Sequence, residues 1–309
     1  MGIGGATALV GVLGDPVRHS LSPAMHNAAL QELGLDWVYL ALPTPAAQLA
    51  AVLEGLRAVE CRGLNVTLPH KQAVARLCQG LSPLAERVGA VNTLIPQVEG
   101  GWQGTNTDVE GFLAPLKGQE WAGREALVLG CGGSARAVVA ALVELGLARI
   151  RIAARRLEPL ERFVADCRTW APQLEALEWA SEEAEHSSCG SPLLAPLQTA
   201  ALVVNTTPVG MASASTTASA EDAYGAKGCP LTPAELEALA PGCSVYDLIY
   251  TPRPTRLLAA AADRGYPTVD GLEMLVQQGA AALRLWSGIE EVSVATMRAA
   301  ALRQLEAKG

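Results

Sequence analysis

Short apolar runs that close on small or polar turn residues alternate along the chain with stretches whose apolar positions return at helical spacing. Ala8-Leu-Val-Gly-Val-Leu13 reads as a buried strand ending at the turn Gly14-Asp-Pro16. A helix carrying Met25 to Leu30 follows, then a strand over Trp37 to Leu42, a helix over Pro45 to Leu56, a strand over Gly63 to Thr67 and a helix from Lys71. This βαβαβα series predicts a mostly parallel sheet with helices on both faces.

A second series starts at Glu125. Its strand, Ala126-Leu-Val-Leu129, meets the glycine turn Gly130-Cys-Gly-Gly-Ser-Ala135, then a helix over Ser134 to Leu145 and a strand over Arg149 to Ala153. That order is the opening βαβ of a Rossmann dinucleotide-binding unit. Leu202-Val-Val-Asn205 and Ser244-Val-Tyr-Asp-Leu248 read as further buried strands, and Leu275, Val276, Ala280, Leu283 and Trp286 place a helix in the last forty residues or so, expected to pack on the first lobe. The fold class is therefore α/β with two domains: an N-terminal parallel-sheet α/β substrate domain, residues 1–107 with 271–309, and a Rossmann dinucleotide-binding domain, residues 108–270. A segment rich in Ser, Thr, Ala and Gly, Ala212 to Gly228, reads as a flexible loop or lid.

Length agrees with two lobes, since 309 residues exceed the ~250 at which single cores stop growing. Half the residues are hydrophobic and 17% are charged, the balance of a globular chain. A net charge of −8 without a basic stripe argues against binding nucleic acid or an anionic membrane by bulk charge. The seven cysteines are scattered and lack the spacing of a zinc site, so no metal is expected and they read as reduced thiols of a cytoplasmic protein. No positively charged segment precedes an apolar stretch at the N-terminus, and no apolar run approaches ~20 residues, so neither secretion nor membrane insertion is expected.

Candidate chemistry gathers where apolar runs end. Asn65-Val-Thr-Leu-Pro-His-Lys71 closes on a lysine, Gly104-Thr-Asn-Thr-Asp108 closes on an acid, and Asn92 sits in Gly89-Ala-Val-Asn-Thr93. Open α/β sheets bind ligands at the carboxyl ends of their strands. There, amides can share the hydroxyls of a small polyol while an ammonium beside a carboxylate exchanges a proton. Ser20 and Ser22 stand at a strand-to-helix turn, suited either to a substrate carboxylate or to capping the helix. At the end of the second Rossmann strand stand Ala154, Arg155 and Arg156. Two guanidiniums and no carboxylate favour the 2′-phosphate of NADP over the free hydroxyl of NAD, with solvation of the helix start as the alternative for either arginine. His19 and His26, beside an apolar helix and without a partner in sequence, are expected to be satisfied structural residues.

With these motifs in order, the chain resembles the shikimate dehydrogenase family. The likeness runs from about Gly11 to Gly288 and continues through Asn205-Thr-Thr-Pro-Val-Gly-Met211, Asp247-Leu-Ile-Tyr-Thr-Pro252 and Gly271-Leu-Glu-Met-Leu-Val-Gln-Gln278. It implies reversible reduction of 3-dehydroshikimate to shikimate by NADPH, with Lys71 and Asp108 as the catalytic pair. Ser20, Ser22 and Tyr250 would hold the substrate carboxylate, and Asn65, Thr67, Asn92 and Gln278 its ring hydroxyls or neighbouring groups. Gly130, Gly132, Gly133, Ser134, Ala135, Arg155, Arg156, Thr206 and Gly271 would face the cofactor. A homodimer is a possible assembly. The chain departs from the family where Ala154-Arg155-Arg156 replaces an Asn-Arg-Thr/Ser motif, which rests NADP recognition mainly on Arg155. A quinate or dual quinate/shikimate dehydrogenase using NAD or both cofactors is the rival within the enzyme class, and a non-catalytic binding protein on the same fold is the rival outside it.

Overall fold

The computed structural model describes residues 2–179, 191–211 and 228–307, and the chain divides into two compact units, Met1–Ala114 with Leu275–Gly309, and Pro115–Met274. The loop expected at 212–228 lies, save its last residue, outside the described residues.

In the first unit, strands β1 (Ala8–Gly14), β2 (Trp37–Pro43), β3 (Gly63–Val66), β4 (Gly80–Leu81), β5 (Thr93–Pro96) and β6 (Trp102–Thr105) form one sheet in the order β2-β1-β3-β5-β6-β4. Helices α1 (Ser22–Glu32), α2 (Leu49–Ala58), α3 (Lys71–Ala75), α4 (Pro83–Val88) and α5 (Asp108–Leu113) connect or follow the strands. β1 is flanked by β2 and β3, and its Val10, Val12 and Leu13 are buried, which explains its continuous apolar run.

The expected parallel arrangement holds for β1 with β2, β1 with β3 and β4 with β6, but β5 runs antiparallel to both β3 and β6. β5 and β6 make a hairpin whose turn contains Gly100 and Gly101 at φ +102° and +75°, a conformation that L side chains rarely adopt. The reversal decides the site. It sets Thr93, the first residue of β5, opposite both Asn65 and Thr105, so the ends of β3 and β6 and the start of β5 share one edge.

In the second unit, β7 (Glu125–Leu129), β8 (Arg149–Ala154), β9 (Leu174–Glu178), β10 (Leu202–Asn205), β11 (Ser244–Asp247) and β12 (Thr268–Asp270) form an all-parallel sheet in the order β12-β11-β10-β7-β8-β9. The order reverses between β7 and β10, the switch point at which dinucleotides bind in this architecture. Helices α6 (Gly133–Glu144), α7 (Leu157–Cys167), α8 (Leu194–Leu197), α9 (Pro233–Glu237) and α10 (Arg256–Ala262) belong to the same unit. In α6, Ala137 to Leu142 are all buried, so this helix is enclosed nearly all round. α11 (Gly271–Ser287) and α12 (Val294–Glu306) follow, and α12 packs on α1 within the first unit.

Candidate active site

Lys71 and Asp108 are each the first residue of a short helix, α3 and α5, set just past the ends of β3 and β6. The Lys71 Nζ lies 2.6 Å from Asp108 Oδ2, and the two side chains are 15% and 9% exposed. Asp108 Oδ1 accepts from Asn92 Nδ2 at 2.8 Å. The amide cannot be turned the other way, because Asn92 Oδ1 accepts the Thr107 backbone N–H at 2.7 Å and a backbone N–H only donates. Gln278 Oε1 stands 3.3 Å from the same Asn92 Nδ2, and its own Nε2 donates to Leu275 O at 2.8 Å. One of the three Lys71 N–H groups is thus engaged by Asp108, and an ammonium so placed can donate another to a substrate oxygen.

Asn65, Asn92 and Gln278 are gathered around this pair and are buried. Asn65 Nδ2 lies 3.3 Å from both Asn92 O and Thr93 Oγ1. Thr67 is half-buried one residue past β3, its backbone N–H on Leu13 O at 2.9 Å. Ser20 Oγ accepts the Ser22 N–H at 3.2 Å, and no side chain caps α1 from Leu21, so the Ser22 hydroxyl is not the helix cap that one reading allowed.

His26 corrects an expectation. It is structural but not satisfied: fully buried, with neither ring nitrogen hydrogen-bonded, it stacks on Tyr39 at 4.1 Å with 5° between the planes. Burial pushes its pKa from 6.5 down to about 3, so the ring is neutral.

In the second unit the glycine turn is open where a pyrophosphate needs space. A Cβ on Gly132 or Gly133 would meet nothing within 4 Å, and no side chain caps α6 from Gly132, which leaves its first N–H groups available to an anion. Ser134 and Ala135 follow in the first turn of α6, with Ala135 buried. Gly130 takes φ +97°, and a Cβ there would meet Thr206 Oγ1 and Thr207 Cγ2 at 2.8 Å. The Thr206 hydroxyl is itself engaged with Leu129 O at 2.8 Å, bracing the turn from β10. Arg155 and Arg156 are both exposed just past β8. Arg156 stands close enough to the turn that its charge pulls down the Cys131 thiol, although burial, the larger effect, raises it. Gly271 opens α11 where a Cβ would collide with Leu248 O at 2.0 Å. This open turn, uncapped helix and pair of arginines fit an NADP phosphate.

Tyr250 lies in the second unit, and burial raises its phenol pKa. Just before it, Asp247 is wholly buried and accepts from Asn205 Nδ2 at 2.9 Å, Thr255 Oγ1 at 2.7 Å and the Ile249 N–H at 3.1 Å. Burial outweighs these donors and lifts its pKa from 3.8 to about 6. Sequence reasoning missed this acid and also Tyr39, Thr93 and Thr107. Thr93 and Thr107 stood inside motifs already singled out, whereas Tyr39 had no local signal.

A chain that carries both a Rossmann unit with an open glycine turn and a separate α/β unit with a shielded lysine–aspartate pair falls in the class of two-domain, dinucleotide-dependent oxidoreductases. Residues 12–94 match the model of the shikimate dehydrogenase substrate binding domain, and residues 271–302 that of the shikimate 5'-dehydrogenase C-terminal domain. Shikimate dehydrogenase (NADP(+)) of Synechococcus sp. (strain JA-2-3B'a(2-13)) is 48% identical over 303 residues, 98% of each chain. Shikimate 5-dehydrogenase from Thermus thermophilus, solved in complex with NADP(H) and shikimate, superposes with a TM-score of 0.78 at 37% identity over 96% of this chain and 99% of its own. Quinate dehydrogenase from Corynebacterium glutamicum, solved with NAD, reaches 0.80 at 28% identity over 96% of this chain and 99% of its own. The chain belongs to the shikimate dehydrogenase family.

Proposed function

We propose that this protein is an NADP-dependent shikimate dehydrogenase, which reversibly reduces 3-dehydroshikimate to shikimate in the pathway to chorismate and the aromatic amino acids. The observation that carries the reading is the Lys71 ammonium held 2.6 Å from Asp108, whose second oxygen is taken by Asn92, in a chain with a full-length relative 48% identical. When bound, the nicotinamide supplies the hydride for reduction and accepts it for oxidation. As the substrate ketone gains charge on oxygen, Lys71 stabilises that charge and passes it a proton; in the reverse direction it takes the proton back. Asp108 orients the reacting hydroxyl and keeps Lys71 in place. Asn65, Thr67, Asn92 and Gln278 bind the ring hydroxyls or their neighbours, and Ser20 and Ser22 the carboxylate.

The glycine turn from Gly130 to Ala135 receives the pyrophosphate on the α6 N-terminus, with Thr206 bracing it, and Arg155 with Arg156 meets the 2′-phosphate. The absence of an acid at 154–156 supports NADP over NAD. The six cysteines among the described residues are free thiols, which supports a cytoplasmic location, and among those residues no helix is long and apolar enough to cross a membrane.

The test follows nicotinamide reduction by its absorbance, with shikimate and quinate as substrates and NADP and NAD as cofactors. Turnover with shikimate and NADP well above the other three combinations is expected. A preference for quinate with NAD would establish the rival dehydrogenase, and no turnover with any pair would leave a binding protein.

A further inference from the structure

Tyr39 lies on β2 with its ring fully buried against His26, and Trp286 is tilted beside it at 6.3 Å between centroids. Its phenol oxygen is 2.8 Å from Asn65 Oδ1. The direction of this bond follows from the other end of the amide. Asn65 Nδ2 faces the Asn92 backbone carbonyl, which can only accept, so Oδ1 faces Tyr39 and the phenol must donate. That bond uses the single hydrogen of the phenol. Both contacts of Asn65 Nδ2 are long, 3.3 Å, so the 2.8 Å bond from Tyr39 is the strongest hold on the amide. Burial keeps the phenol protonated, and the neutral His26 ring gives it a flat apolar seat.

We propose that Tyr39 is a positioning residue for substrate binding: it fixes the Asn65 amide in one of its two orientations. This rests on the proposed function, in which Asn65 and Ser22 contact the substrate. Tyr39 touches neither substrate nor cofactor; it acts through Asn65. A Tyr39→Phe variant keeps the ring on His26 and removes only the hydroxyl, leaving the Asn65 oxygen buried without its donor.

The experiment is a double-mutant cycle on the full-length enzyme, with Tyr39→Phe, Asn65→Ala and the pair, read as KM and kcat for shikimate, shikimate Kd by calorimetry and thermal midpoint. Tyr39→Phe should raise KM and Kd together by roughly tenfold while kcat falls by less than about threefold, the size expected for one buried polar group left without its donor. Combined with Asn65→Ala it should add almost nothing, since its effect passes through that amide. A Tyr39→Phe enzyme with a lowered midpoint and unchanged KM and Kd, or effects that add in the double variant, overturns the proposal and leaves Tyr39 a core residue. A wild-type enzyme inert to shikimate overturns the functional reading and this inference with it; an active wild type with an indifferent Tyr39→Phe overturns this inference alone.

Discussion

Lys71 and Asp108 meet at 2.6 Å although thirty-seven residues separate them in sequence. The contact follows from two short helices starting at neighbouring strand ends, and it ties each side chain's placement to the other. Replacing Lys71 by Met removes the proton donor while retaining the stem. Turnover should fall roughly 10²-fold or more, with shikimate binding only modestly weaker, because the ammonium acts mostly in the transition state. Asp108→Asn should behave similarly, and the double variant should be far from additive. Steady-state kinetics and shikimate titration check this; a turnover loss under about tenfold with collapsed binding would make Lys71 only a ligand.

Arg155 is exposed past β8, and positions 154–156 carry no carboxylate to hold a ribose hydroxyl. Arg155→Ala should weaken NADP by roughly 10- to 100-fold and barely change NAD, as one charge-assisted contact is worth about 1.5–3 kcal/mol. The KM for each cofactor in wild type, Arg155→Ala and Arg156→Ala gives the answer. An unchanged NADP/NAD ratio in both variants would remove the phosphate clamp and strengthen the rival with NAD.

His26 titrates at about 3 in the fold against 6.5 ordinarily. A lowered histidine pKa means that the unfolded chain binds the proton first, so this group's contribution is present above pH 6.5 and is lost as pH falls toward 3. Near pH 5 the loss should be about 2 kcal/mol. Urea unfolding of wild type and His26→Leu at mildly alkaline and acidic pH should show the difference between them shifting in favour of the variant on acidification. A constant difference would mean that the buried ring finds a proton acceptor.

Asp247 has the opposite sign. Its pKa rises from 3.8 to about 6, so its contribution is fully present below 3.8 and lost as pH rises through 6. The charged form at neutral pH should cost on the order of 3 kcal/mol relative to a carboxyl without the shift. Asp247→Asn keeps an acceptor for Asn205 and Ile249 and should gain on wild type as pH climbs from about 4 to 7. Parallel pH–stability curves for the two proteins would place the carboxylate's pKa near its ordinary value.

Local signals carried much of the architecture. The apolar runs of β1, β7, β8 and β10, the turn at Gly130 and the spacing of Lys71 and Asp108 past strand ends are each written within a few neighbouring residues, because burial on both faces and a phosphate-sized turn impose their residue types locally. The antiparallel β5 was not read, although Gly100-Gly101 marks its hairpin, since a short strand's direction depends on the neighbour with which it pairs. Tertiary structure alone brought Asn92 to Gln278 across 186 residues, Tyr39 to Asn65 across 26 and Asp247 to Asn205 across 42. Hydrogen bonds of this kind carry no sequence period. They depend on ångström-scale distances and on which end of an amide faces a backbone donor or acceptor, and only the packed chain sets those.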